Sequence, residues 1–541
     1  MSAKIQTPFG TALPPAPHHA ITVHMPAWQT ITRFRDQDME LIQSLKNMYP
    51  RFVLHKDVKA LTQKIVEYAS VEEQGCLLFP SMQAARNCVE FATSPGRGER
   101  TVSSDQITIL ILNANDINLY AVFFPAASMG VLHGFWLNAG VGISSRLAEE
   151  CLKHLGTLRK VSPDDIQPTM TRDSPAHVQV KMRIAELLKH APADRQRKTV
   201  VSPDDVYLYQ TGMSAIYWVH QYLLRKHGSS SVLFGFAFHS TIHVLQDFGP
   251  GAEFLGLGTR EEFDELERHL LSHAERGKKI QAIWAEFPSN PLLVAPDLTR
   301  LRRLADQYGT VLVIDDTIGS FCNVDVLSVA DIVVTSLTKS FSGYADVMAA
   351  SAVLSPLSAR YGELKKLVDD LYHNDFYPGD AEILEHNSRD YLRRSAILNN
   401  NAQRLVEYLQ SQALDPSSPV KRVFYPTVSD SLANYRSYMR QTTEDFTPGY
   451  GCLFSVEFDG LDAAIAFYDN LNVHQGPHLG AHLTLAIPYC MGVYGKELEW
   501  AAKYNLQPTQ IRISVGLEDT QTLLEDFKIA VQAARCGGVQ N

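Results

Sequence analysis

The sequence predicts an α/β fold on a mostly parallel central sheet, with a smaller α/β unit after it and an α/β extension before it. Three observations carry that reading. Short apolar runs at Val206–Tyr209, Ile280–Glu286, Val311–Ile314 and Ile332–Val334 alternate with helix-length stretches, the pattern of a parallel sheet covered on both faces. Beyond about residue 375 the texture changes to a long helical stretch followed by further strands and helices. A length of 541 residues leaves room for three to four domain-sized units.

In chain order, the first 20 residues, rich in Pro, His and Ala, read as a loosely ordered arm. From Arg35 to Thr93 helical periodicity dominates. Ile107–Leu112 and Leu119–Phe124 flank Asn113-Ala114-Asn115-Asp116 and read as a hairpin. The segment Pro163–Pro175, with three prolines, reads as a linker. Thr211-Gly212-Met213 turns the first central strand into a helix at Ser214–Arg225, and Leu298, Leu301 and Leu304 mark a helix at Leu298–Tyr308. A long helix is expected over Ala381–Leu409, a strand at Ile511–Val515, and a last helix carrying Leu523, Leu524, Phe527, Ala530 and Val531. The expected units are 1–165, 166–375 and 376–541.

Composition narrows the function. Lys+Arg 49 against Asp+Glu 59 gives a net charge of −10, which disfavours a general binder of nucleic acid or anionic membrane. No apolar run reaches the roughly 18–20 residues of a membrane helix. The start shows neither a signal core nor an Arg-rich transit pattern. Seven scattered cysteines without a C-x-x-C pair argue against a disulfide framework or zinc site and suit a reducing, cytoplasmic setting. No metal site is expected. Gly140-Val141-Gly142-Ile143-Ser144-Ser145 resembles a dinucleotide fingerprint but lacks the third glycine and a preceding strand.

Ligands of parallel α/β sheets bind outside the carboxyl ends of the strands. Four such ends carry polar residues here: Gln210-Thr211-Gly212-Met213-Ser214, Glu286 through Pro291, Asp315-Asp316, and Thr335-Ser336-Leu337-Thr338-Lys339. The first is a strand-to-helix turn whose free N–H groups suit a phosphate. Together they offer an anion cradle, a carboxylate and a lysine at a dry strand end. Pyridoxal phosphate (PLP) requires that set, the lysine for its Schiff base and the carboxylate for its pyridine nitrogen.

On Thr-Gly-Met-Ser-Ala-Ile (211–216), Glu-Phe-Pro-Ser-Asn-Pro (286–291), Val-Ile-Asp-Asp-Thr (313–317), Ser-Leu-Thr-Lys-Ser-Phe-Ser-Gly (336–343), Glu-His-Asn-Ser-Arg-Asp-Tyr (385–391) and Arg-Ile-Ser-Val-Gly-Leu-Glu-Asp (512–519), the chain resembles the fold-type I, PLP-dependent trans-sulfuration enzymes, and within them the fungal cystathionine γ-synthase branch. That resemblance implies a fold-type I transferase in which Lys339 forms the Schiff base, Asp315 pairs with the pyridine nitrogen and Asn290 contacts the ring hydroxyl. It implies that Thr211, Gly212, Met213, Ser336 and Thr338 hold the phosphate and that Arg512 takes the substrate carboxylate. It also implies a homodimer or homotetramer with sites at the dimer interface, Arg172 in Met170-Thr171-Arg172 reaching the neighbour's phosphate.

Three departures from the family pattern bear on chemistry. The ring-stacking tyrosine is Phe238, which keeps the face and loses the hydroxyl, with His239 beside it as a substitute. The family's Ser-Leu-Gly is His478-Leu479-Gly480, adding a group that titrates near pH 7. A Gly-Gly pair is Ala349-Ala350, which adds volume. The resemblance implies γ-replacement on an O-acylated homoserine through a β,γ-unsaturated ketimine. The departures suggest a secondary-metabolism paralogue with a non-cysteine nucleophile. The alternatives are a housekeeping cystathionine γ-synthase, a γ-elimination lyase, and a PLP-binding regulatory protein that has lost catalysis.

Overall fold

The computed structural model describes residues 4–71, 73–165 and 173–537. Three sheets succeed one another along the chain. The first comprises β1 (Gln74–Phe79), β2 (Thr108–Ala114), β3 (Ile117–Pro125) and β4 (Arg159–Lys160), antiparallel in the order β1-β3-β2-β4. Asn115 and Asp116 turn the expected hairpin with φ of 48° and 62°, the left-handed pair that a two-residue turn favours. β1 lies inside the stretch expected to be helical. Its run Gly75–Phe79 is too short and too uniformly apolar for periodicity to separate strand from helix.

The central sheet holds β5 (Val206–Tyr209), β6 (Ser231–Phe234), β7 (Ala252–Leu255), β8 (Ala282–Glu286), β9 (Val311–Asp315), β10 (Ile332–Thr335) and β11 (Ala350–Leu354). The order is β5-β11-β10-β9-β8-β6-β7, with only β11 running against its neighbours. The expected mostly parallel sheet is therefore present. Alternate residues feed two cores: Tyr207 and Tyr209 face one, Val206 and Leu208 the other. Continuously apolar strands are explained by burial on both sides.

The third sheet comprises β12 (Val420–Phe424), β13 (Leu453–Phe458), β14 (His474–Gln475), β15 (Leu485–Ile487) and β16 (Gln510–Ser514), in the order β12-β13-β16-β15-β14. The helix expected over Ala381–Leu409 is two helices, Pro378–Asn387 and Tyr391–Ala413, with a 3₁₀ turn between them. The break follows from Arg394, only 1 % exposed, whose guanidinium donates to Asn387 O, Ser340 O and Phe341 O and to Asp390. It thereby takes a carbonyl out of the helical ladder.

From residue 4 onward the N-terminal arm packs onto the rest of the chain, contrary to the reading from composition. Leu13 and Ile21 pack with Ala345, Ala481 and Leu485, and Val23, Met25, Trp28 and Ile31 join the core of the third sheet. Ile21 N donates to Ala345 O at 2.9 Å and Met25 N to Gln475 O at 2.7 Å. Buried apolar side chains and long-range backbone bonds outweigh the Pro and His content. Among the described residues no helix is long and apolar enough to cross a membrane.

Candidate active site

The polar strand ends meet on one edge of the central sheet. Register places Glu286 opposite Asp315, Thr335 opposite Ser351, and Ala350 opposite Tyr209. Above that edge is a cavity whose walls include Gly212, Glu286, Asp315, Ser336, Lys339 and Arg512. Met213, Phe238, Asn290 and His478 also line it.

Helix Gly212–His227 begins where β5 ends. Thr211 caps it: its hydroxyl accepts from Ser214 N at 2.9 Å, and it donates to Gly140 O at 3.0 Å. Thr211 therefore shapes the turn, while the free N–H groups of Gly212 and Met213 remain for an anion. A Cβ on Gly212 would lie 3.0 Å from Ser336 Cβ, so the helix start and the lysine loop approach closely here and a larger residue would press on Ser336. Thr338, assigned to the phosphate by resemblance, is 1 % exposed and spends its hydroxyl on Ala349 O and Ala349 N. It holds the lysine loop onto β11 instead.

That loop is fixed from below as well. Arg394 clasps the carbonyls of Ser340 and Phe341. Gly480, at φ +73°, brings its backbone so close that a Cβ would fall 2.5 Å from Ser340 N and 3.0 Å from Lys339 Cα. Burial pulls the Lys339 ammonium below its ordinary pKa, with Tyr49 opposing and the Arg512 and Arg51 charges adding to the shift. A lysine in that state is readily deprotonated to a nucleophile and base.

Two carboxylates share the floor. Asp315 Oδ1 accepts from Thr317 N at 2.9 Å. Glu286 accepts from Phe238 N at 2.7 Å and Asn290 N at 2.9 Å. Burial raises both, and the Asp315 charge raises Glu286 further. Glu286, legible in the sequence only as a polar strand end with no role attached, stands in register with Asp315. It orients the two residues, Phe238 and Asn290, expected to flank the cofactor ring.

Arg512, on β16, is 3 % exposed. It donates to Pro477 O at 2.7 Å and Asn290 Oδ1 at 3.3 Å, and lies 4.5 Å over the Tyr489 ring. Burial lowers its pKa to about 10, which leaves it a cation at neutral pH. The titratable neighbours that raise its pKa among the described residues are Tyr489 and Cys452, and no carboxylate is among them. His478 is 3 % exposed, with neither ring nitrogen partnered. Burial, then the charges of Lys339 and Arg512, hold it well below the usual histidine value, so it is a neutral imidazole.

Other sequence candidates lie elsewhere. His239 packs against Tyr494 and His243 and is outside the cavity wall, so it does not replace the hydroxyl absent from Phe238. Ala349 and Ala350 are fully buried in the cores rather than in the wall, and their methyls do not reduce the cavity directly. Arg172 lies outside the described residues. Gly140 ends helix Met129–Ala139 and no strand precedes it, which disposes of the dinucleotide pattern. Three wall residues, Tyr49, Arg51 and Phe52, come from the N-terminal extension and were not anticipated. Tyr49-Pro50-Arg51 sits between helices without a motif that sequence reading could assign.

The residues fit PLP. A close glycine turn at a helix start, Lys339, Asp315 and the Phe238 face are the set of groups the cofactor needs. The Cys/Met metabolism PLP-dependent enzyme family matches over residues 195–532, and the N-terminal domain of fungal trans-sulfuration enzymes over residues 57–144. The cystathionine gamma-synthase-like enzyme iboG2 of Amanita muscaria is 34 % identical, over 98 % of this chain and 97 % of its own. The alanine racemase ungC of Aspergillus violaceofuscus is 34 % identical, over 96 % of each. The cystathionine gamma-synthase of Neurospora crassa is 31 % identical, over 97 % of this chain and 98 % of its own. Among solved structures, cystathionine gamma synthase of Xanthomonas oryzae pv. oryzae in complex with cystathionine shares the fold. It is 22 % identical, with a TM-score of 0.55 over 68 % of this chain and 87 % of that one.

Proposed function

The chain belongs to the Cys/Met metabolism PLP-dependent enzymes, and from that footing we propose that it performs γ-replacement on an O-acylated homoserine with a nucleophile other than cysteine. The observation that carries this reading is His478, a buried neutral imidazole with two unpartnered nitrogens on the cavity wall. Cystathionine gamma-synthase-like relatives from fungi support the reaction class.

Bound PLP would supply the electron sink that makes protons on the substrate's α and β carbons acidic. The protein's own residues do the rest. Arg512 and Asn290 hold the substrate carboxylate; the guanidinium offers its N–H groups as a fork. Lys339 Nζ, whose charged form burial disfavours, removes and returns protons. His478, a neutral imidazole, accepts the proton of the incoming nucleophile, which a carbon acid must lose before it can attack and an amine loses afterwards. Phe238 keeps an aromatic face without a hydroxyl of its own. Phe52, Ile216, Ile318 and Leu479 in the wall exclude water, which favours replacement over hydrolytic γ-elimination.

The test is incubation of holoenzyme with O-acetylhomoserine and a panel of thiols, amines and carbon acids, followed by mass analysis. The reading expects an adduct with a carbon or nitrogen nucleophile in excess of cystathionine. His478→Ser should slow adduct formation by about 10²–10⁴-fold, the usual worth of a general base, while acetate release persists. Combined with Phe238→Tyr it should move activity toward cysteine. Cystathionine formation at a biosynthetic rate with other nucleophiles ignored would refute the reading. So would 2-oxobutanoate as the sole product, or simple inversion at the α carbon of an amino acid.

A further inference from the structure

The segment between helices Met39–Ser44 and Lys56–Ala69 carries two side chains into the cavity that the mechanism above does not use. Arg51 is 4 % exposed. Its Nη2 donates to Ser240 Oγ at 3.3 Å, and its Nε has no partner. Its guanidinium carbon lies 5.7 Å from the centre of the Phe238 ring. It lines both the main cavity and a smaller adjoining pocket that includes Thr211 and Gly140, which puts it beside the start of helix Gly212–His227. A buried cation with an open donor beside a helix N-terminus lacks only its anion. Tyr49, two residues earlier, places its hydroxyl 3.5 Å from Lys339 Nζ, with its ring 4.9 Å below that nitrogen. Phe52 N donates to Tyr49 O at 2.9 Å, closing the turn that presents both side chains.

We infer that this N-terminal segment completes the site within the same chain: Arg51 pairs with the cofactor phosphate at the start of helix Gly212–His227, and Tyr49 supplies beside Lys339 the phenol that Phe238 lacks. The inference rests on PLP being the cofactor and not on the nucleophile. It places in the chain's own extension a role that the resemblance assigns to an arginine of a neighbouring chain.

The experiment compares PLP with pyridoxal, which lacks the phosphate, by absorbance titration of apoenzyme. Arg51→Gln should weaken PLP by about 10- to 150-fold, the range for one charge-assisted contact, and leave pyridoxal unchanged. Arg51→Lys should recover part of the loss. Equal weakening of both ligands, or of neither, would overturn the assignment. If the anion were instead a group of the amino-acid substrate, PLP affinity would hold while KM rose, which also overturns it. Co-expression of Arg51→Gln with Lys339→Ala tests the same-chain claim. With both residues drawn from one chain, no mixed oligomer contains an intact site, so tight, borohydride-fixable PLP stays absent. Its recovery in mixed oligomers would show that Arg51 acts across chains. Tyr49→Phe should keep PLP affinity and shift the pH at which the cofactor band near roughly 420 nm titrates. An unshifted titration would remove Tyr49 from the proposal.

Discussion

Replacing Arg512 by alanine separates substrate binding from cofactor binding. Arg512 is held by two contacts, to Pro477 O and Asn290 Oδ1, and by the Tyr489 face beneath it. None of these neutralises its charge. Burial lowers its pKa from 12.5 to about 10, a difference on the order of 3 kcal/mol between its charged and neutral forms. A substrate carboxylate relieves that cost and adds a charge-assisted contact worth about 1.5–3 kcal/mol, or roughly 10- to 150-fold in affinity. Arg512→Ala should therefore raise KM for the amino-acid substrate by that factor. Arg512→Lys should fall between, because a point charge replaces a planar fork. Initial rates across substrate concentration give KM, and absorbance near roughly 420 nm measures cofactor content in the same samples. In the unmodified enzyme substrate affinity should also decline as pH rises through about 10, where free Arg512 loses its charge. An unchanged KM, or a KM change matched by loss of cofactor, would refute the carboxylate role.

Lys339→Ala should abolish the borohydride-reducible link to PLP; cofactor fixed to that variant would show that another amine forms it. Gly480→Ala should cost cofactor retention and thermal stability together, because its Cβ would meet Ser340 N at 2.5 Å; a variant with unchanged Tm and full PLP content would contradict the geometry. Acid should destabilise the fold through histidines buried as neutral rings. Desolvation holds His24, His220 and His474 at about 4 in the folded chain, against about 6.5 unfolded. Their folded pKa values lie below the unfolded ones, so the unfolded chain takes up protons first as pH falls. Stability present above about 6.5 is then lost progressively toward pH 4. Tm measured from pH 7 to 4.5 should fall, and His220→Gln should flatten that slope; an identical slope in the variant would exclude His220 from the effect.

By itself, the sequence determined the class of the central sheet and the chemistry of its edge. Those signals are local: a four-residue apolar strand is legible because it is buried on both faces, and Lys339, Asp315 and Glu286 are legible as polar residues at strand ends. It also showed a hairpin turn within Asn113-Ala114-Asn115-Asp116, which the structure narrows to Asn115-Asp116, and the helix start at Thr211, whose side chain meets the backbone three residues on. Tertiary structure decided what depends on partners far along the chain. Thr338 looks like a phosphate ligand until Ala349 takes its hydroxyl, and His239 looks like an acid/base group until Tyr494 and His243 enclose it. The arm around Leu13 and Ile21 looks loose until Ala345 and Leu485 cover it. Arg394, Tyr49 and Arg51 carry no local signal, because each acts on groups contributed by distant segments. A side chain's chemistry is set by its own atoms, but its role is set by which donors, acceptors and charges the fold brings within a few ångströms. Those neighbours are 54 residues away for Arg394 and Ser340, and 290 away for Tyr49 and Lys339.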